Sequence, residues 1–267
     1  MIVVKRIFTW ISVLALLPAF SQKTIVKNGS VYLSWGYNTE WYSGSDIHVV
    51  QPELNCDFTY NNIKAHDHIG WDAAFQHDIT IPQYNYRLGY FFNQKQDLAF
   101  EINFDHTKYI VTYGQPVVVT GKINGKSVNE SYRTYYNVLD YQLNNGANFL
   151  LFNLVKKLSI YTSAKGGINL VGLGKFGIGP LVPHVQNRIF GNDNVAHFQL
   201  GGWNTGLEAG FRLTALSHIY LEFSNKLDYA RYSGLQVYKG TVNQSFFCYE
   251  LILSLGYTFH TGKSEKL

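Results

Sequence analysis

The densest run of side chains able to do chemistry is KAHDHIGWD, Lys64 to Asp72. His66 and His68 flank Asp67, and imidazoles beside a carboxylate can hold zinc or move protons. A His-x-His pair in a loop lacks the ligand spacing of a zinc centre. No metal is therefore expected, and a solvated polar loop is the plainer reading. A serine brought in from elsewhere, Ser127 or Ser131, would complete a nucleophile, base and acid with His66 and Asp67. The spacing sets no such geometry, so His66 and Asp67 stand only as candidates and no catalytic residue is assigned. Gly172-Leu173-Gly174 closes an alternating segment instead of opening a helix, so it is no nucleotide loop, and no cofactor is expected.

A second set of reactive groups is spread along the chain. Arg87, Glu101, Asp105, Lys165, Glu208, Arg212, Glu222, Lys226 and Glu250 each occupy the polar phase of a segment whose other phase is apolar. In a strand, successive side chains point to opposite faces, so these nine groups share one face. They carry both signs, and in a confined space opposite charges must pair or be hydrated. The chemistry implied is a network of ion pairs filling an interior, or the lining of a narrow pore. Arg87 and Glu101 lie on either side of the Asn93–Gln96 turn, and Arg212 and Glu222 on either side of Thr214–Leu216. Each pair therefore stands at similar depth on neighbouring strands.

The elements that must position these groups are strands. The segment from Tyr249 to Phe259 alternates Tyr249, Leu251, Leu253, Leu255, Tyr257 and Phe259 with Glu250, Ile252, Ser254, Gly256 and Thr258. Seven more segments read the same way: 30–41, 80–92, 97–109, 140–152, 158–171, 197–213 and 217–229. The connections alternate in length. Long ones, 42–79, 110–139, 172–196 and 230–246, are separated by short turns at 93–96, 153–157 and 214–216. That rhythm belongs to an up-and-down barrel with turns at one end and loops at the other. Each segment supplies the roughly 9–11 residues a tilted spanning strand needs. The expected fold is all-β, a transmembrane up-and-down antiparallel barrel of eight strands. Val117 to Val128, with Asn124-Gly125 as a hairpin turn, would make ten if it joined the wall. It is read as a hairpin above the membrane. Trp41, Tyr109, Tyr229 and Tyr249 at the loop end, and Tyr90, Phe92, Tyr257 and Phe259 at the turn end, suit two interfacial aromatic girdles.

Composition and the chain's start agree with an exported barrel. Lys5 and Arg6 precede an apolar run from Ile7 to Leu17, and Ala19-Phe20-Ser21 offers small residues for cleavage, so 1–21 read as a signal peptide. The run is too short for a spanning helix. Removing Lys5 and Arg6 takes the net charge from +4 to +2. That balance makes no case for nucleic acid. Aromatic residues, at 16%, outnumber charged ones, at 15%, although mean hydropathy is only -0.10. A barrel with one lipid face and one polar face has that profile, and so does a secreted sandwich. Cys56 and Cys248 fall at the same end, so export leaves a disulfide open beside two separate thiols.

With these strands and connections the chain resembles the small eight-stranded outer-membrane β-barrel proteins, similar to the membrane domain of the OmpA family and to OmpW-like porins. The strand from Tyr249 to Phe259 resembles their C-terminal insertion signal, although the chain continues through His260 to Leu267. The resemblance implies residence in the outer membrane of a Gram-negative bacterium with both termini periplasmic. The partners implied are outer-membrane lipid, lipopolysaccharide and, through the last strand, the barrel-assembly machinery. The role expected is structural or surface-interacting. A narrow porin for small solutes, admitted by the inward Gly36, Gly89, Gly202, Gly206 and Gly256, is the second reading. A lipid-A-modifying enzyme acting through the loop side is the third.

Overall fold

A computed structural model describes residues 29–68, 83–92, 95 and 97–260. The signal segment 1–21, part of the first long loop, most of the 93–96 turn and the last seven residues lie outside the described residues. Eight strands form a ring: β1 (Ser30–Tyr42), β2 (Tyr84–Phe91), β3 (Leu98–His106), β4 (Phe149–Thr162), β5 (Ile168–Pro180), β6 (Gly202–Ala215), β7 (Ile219–Val237) and β8 (Gly240–His260). Each pairs antiparallel with the next. The ring closes where β1 meets β8, from Ser30 opposite His260 to Tyr42 opposite Cys248. Closure leaves no edge with unpaired backbone groups, the condition for a sheet that meets hydrocarbon. Among the described residues no helix is long and apolar enough to cross a membrane.

Alternation decides which side chains face out. On β8, Tyr249, Leu253, Leu255, Tyr257 and Phe259 stand outward while Glu250, Ile252 and Ser254 are buried. On β7, Leu221, Phe223 and Leu227 face out and Glu222, Ser224, Lys226 and Asp228 face in. The outward residues of all eight strands make an apolar band. It runs from Tyr90, Phe92, Tyr257 and Phe259 at the turn end to Trp41, Trp203 and Tyr249 at the loop end. Tyr109 does not belong to the loop-end girdle. β3 ends at His106, and Tyr109 is fully buried in a separate core above the barrel.

The middle of the chain departs from the alternation read from sequence. The fourth wall strand is 149–162, not 140–152, and its turn lies at 163–167, not 153–157. Two features hid it. Lys156-Lys157 resembles a turn, but Lys156 faces outward and pairs with Asp97. The inward Phe149, Leu151 and Val155 are apolar, with Asn153 a single interruption between them, so both faces of this stretch read nearly alike. The true turn is made by Gly166, at φ +68°, beside Gly167. Consequently Ile168–Pro180 is strand β5, although 172–180 reads as the start of a loop.

The long connections fold into a second β structure on the loop end. Ser45–Gln51 pairs with the extended upper part of β8 and with Cys56–Ile63, which pairs with Pro116–Ile123, which in turn pairs with Lys126–Arg133. The hairpin read at Asn124-Gly125 is thus present, with φ of 51° and 77° at its two turn residues. It extends this upper sheet and does not enter the eight-stranded ring. The last connection is no loose loop, because β7 and β8 run on past the band and meet at Tyr238-Lys239. A second small sheet sets Tyr109–Val111 against Leu139–Leu143 and the latter against His184–Ile189. Between the sheets lies one apolar core that includes Ile47, Phe58, Tyr60, Val119, Tyr141 and Val185.

Candidate functional site

The lumen is where the polar phases of the eight strands converge, and it is layered. Nearest the turn end, Tyr32, Phe91, Val155, Val171 and Tyr220 form a small apolar floor. Above Gly89 a Cβ would meet the Tyr32 ring at 2.1 Å, and above Gly256 one would meet the Tyr220 ring at 2.1 Å. Two of the five glycines that suggest free space, Gly89 and Gly256, are therefore where two tyrosine rings lie.

On this floor sits a network of three cations and three carboxylates, all buried. Arg87 Nη1 donates to Glu208 Oε2 at 2.7 Å and Glu101 Oε1 at 3.3 Å. Arg212 Nε donates to Glu222 Oε2 at 2.7 Å. Its guanidinium carbon lies 4.4 Å and 4.0 Å from the ring centroids of Tyr32 and Tyr220. Both cross-turn pairs expected from the sequence are thus formed. Their link is Lys175, whose Nζ is 3.1 Å from Glu101 Oε2, 3.2 Å from Glu208 Oε1 and 2.7 Å from Glu222 Oε1. Tyr32 and Asn153 also donate to Glu101, at 2.8 and 3.0 Å. Lys175 was hidden by the same misreading that placed Lys165 in the lumen. Lys165 stands in the 163–167 turn, and the inward lysine of β5 is Lys175.

Higher in the lumen, Lys226 pairs with Asp105, with Asp228 at 3.1 Å and with Glu250 at 3.3 Å. Glu40, directly opposite Glu250 in register, accepts from Asn38, from Gln83 and from the Tyr42 hydroxyl at 3.3 Å. Over this layer the loop-end core closes. Tyr109 stacks on Phe246 at 4.7 Å, Tyr42 meets both edge-on, and the Tyr232 hydroxyl donates to Ala147 O at 2.8 Å. The Tyr109 hydroxyl is within 3.0 Å of Ser45 Oγ and takes a hydrogen bond from Gln244 Nε2 at 2.7 Å. Burial pushes its pKa up to about 12, the two hydrogen bonds pulling the other way. Tyr60 and Tyr141, in the same core, are raised by burial too.

His66 and Asp67 serve the junction of loop and barrel. Asp67 Oδ2 accepts from Thr39 Oγ1 at 2.8 Å and from the Glu40 backbone N–H at 3.0 Å, and so ties the loop to β1. The His66 ring bonds Asp67 O at 2.7 Å. No hydrogen bond brings Ser127 or Ser131 to them among the described residues. No group of three or more His, Cys, Asp and Glu is arranged to hold a metal among the described residues. Both cysteines are free and buried.

A closed antiparallel ring of eight strands, polar within and apolar without, defines a transmembrane β-barrel protein. No protein-family model matches the chain, and no curated protein matches its sequence. Similar solved structures are outer-membrane barrels. The attachment invasion locus protein Ail of Yersinia pestis is 12% identical, with a TM-score of 0.36 over 87% of this chain and 99% of that one. The outer membrane protein OprG of Pseudomonas aeruginosa is 10% identical, with a TM-score of 0.37 over 89% and 99%. The outer membrane protein AlkL, solved in lipid bilayers, is 11% identical, with a TM-score of 0.37 over 90% and 94%.

Proposed function

We propose that this chain is a non-conducting outer-membrane barrel whose work is done at its loop end, as a membrane-held platform for surface interactions. The observation that carries the reading is the filled lumen. The Arg87–Glu101–Glu208–Lys175–Glu222–Arg212 network leaves side-chain exposures of 4% or less. An eight-stranded barrel is only wide enough for its own side chains. A structured cap then lies over the mouth, and on it Tyr113, Tyr135 and Tyr136 are each about half exposed. The Arg188 guanidinium covers the Tyr136 ring at 3.8 Å and pairs with Asp193. Rigid aromatic faces beside fixed polar groups suit recognition of a partner.

The expected placement is the outer membrane of a Gram-negative cell, with 1–21 removed on export and both termini periplasmic. Assembly would proceed through β8 and the barrel-assembly machinery. Planar-bilayer recording of the refolded chain tests the closed lumen: no discrete openings are expected, and steady channel steps would refute it. Orientation is tested in intact cells. A thiol reagent is expected to reach Lys126→Cys on the cap hairpin and to miss Lys165→Cys in the 163–167 turn. The reverse pattern would invert the topology.

A further inference from the structure

The outer wall carries a donor-rich groove immediately above the apolar band. It occupies about 360 Å³ between the upper parts of β7 and β8 and is lined by Tyr229, Arg231, Ser233, Asn243 and Ser245, with Asp46 at one side. Its floor exists because the ladder slips between Tyr232 and Leu235, where Gly234 takes φ +67°. Asn243 Oδ1 accepts from Gly234 N at 2.9 Å, which leaves the Asn243 amide N–H₂ as a donor to the groove. No carboxylate lies within ion-pair distance of Arg231 among the described residues. Asp46 is occupied by the Asn62 backbone N–H, 2.8 Å from its Oδ1.

Height above the band selects the ligand. Tyr229 packs on Trp203 at 5.7 Å and on Phe247 at 5.2 Å, three aromatics of the loop-end girdle. Arg231 is two residues further along the same outward phase, about 7 Å up the strand. It stands level with Trp203 on one side and Ser245 on the other. Girdle aromatics lie at the headgroup boundary, so a guanidinium level with Trp203 and one step above Tyr229 and Phe247 lies at the depth of lipid phosphate. Arg presents a fork of donors matched to phosphate oxygens. We propose that this groove binds the phosphate headgroup of a membrane lipid, with Arg231 as the charge partner and Ser233, Asn243 and Ser245 as hydrogen-bond donors. This rests on the lipid-facing band and not on the closed lumen, so channel recordings leave it standing or falling by itself.

The test uses the refolded chain in phosphatidylcholine nanodiscs containing a minor fraction of phosphatidic acid, whose phosphomonoester is the probe. Native mass spectrometry reads the lipid retained on the barrel. Wild type should retain phosphatidic acid over phosphatidylcholine, and Arg231→Gln should lose that preference about tenfold. Ser233→Ala/Ser245→Ala changes no charge and should lose about three- to tenfold. If Arg231→Gln weakens retention while the double serine variant does not, the attraction is general charge and the built site is refuted. Equal retention in wild type and Arg231→Gln refutes it outright. Displacement of phosphatidic acid by millimolar inorganic phosphate would make this a solute-anion site and overturn the lipid assignment.

Discussion

Removing the Glu101 carboxylate should be among the costliest single truncations in the lower lumen, and the structure sets how much. Glu101 takes hydrogen bonds from Arg87, Lys175, Tyr32 and Asn153, and its side chain is fully buried. Around it the charges balance, with Arg87, Lys175 and Arg212 against Glu101, Glu208 and Glu222. Glu101→Ala leaves one positive charge in excess and two neutral donors without an acceptor. An uncompensated buried charge costs about 3–5 kcal/mol. Arg87→Ala leaves the opposite excess and should cost a similar amount. At 3.3 Å and an effective dielectric of 20, the direct attraction of Arg87 and Glu101 is about 5 kcal/mol before desolvation is set against it. Arg87 also keeps Glu208 at 2.7 Å, so only part of that appears as coupling. The double variant restores balance and should be less harmful than the sum by about 1–3 kcal/mol. Urea titration of refolding into lipid vesicles, followed by tryptophan fluorescence, measures all four corners of the cycle. Additivity within about 0.5 kcal/mol would refute the network as a coupled unit. Single variants that cost under about 1 kcal/mol and admit ions would refute the closed lumen.

Other outcomes follow from the same structure. Leu253→Arg and Leu221→Arg place charge on the lipid face and should each destabilise the barrel by about 2–4 kcal/mol in the same titration; silence would reverse the facing. Gly89→Ala drives a methyl group into the Tyr32 ring and should cost about 1–3 kcal/mol, and much less when the same change is made in a Tyr32→Leu background. The Tyr109 phenol is raised from its ordinary value of 10.0 to about 12, so the folded cap holds that proton more tightly than the unfolded chain. Its contribution, about 3 kcal/mol for two units, is fully present below pH 10 and is lost as pH rises from 10 to 12. Tyrosinate absorbance should show this group ionising late, together with loss of cap structure. An early ionisation that leaves the cap intact would refute the burial argument, and Tyr109→Phe should lessen the alkaline loss.

The wall of the barrel was legible because its physics is periodic. Wherever the lumen phase is polar, as in Gln83 to Gly89, Glu101 to Thr107 and Glu222 to Asp228, a two-residue alternation can mean only one set of facings. Arg87–Glu101 and Arg212–Glu222 followed by counting from their turns, since depth on adjacent antiparallel strands is set by distance from the shared turn. The reading failed where inward side chains are themselves apolar, at Phe149, Leu151 and Val155. There a lone Asn153 is too little of a polar phase to mark the strand, and one displaced turn exchanged Lys175 for Lys165. What only the tertiary structure decided is how residues distant in sequence share one space. Tyr32 and Tyr220 fill the room that Gly89 and Gly256 vacate directly opposite them on the neighbouring strand, so these two inward glycines close the lumen they seemed to open. Lys175 joins two local ion pairs into one network because three strands bring their carboxylates to the same height. The four loops likewise show no common period. Each contributes a few apolar residues, and these become one core only when the closed ring gathers the loops over its mouth.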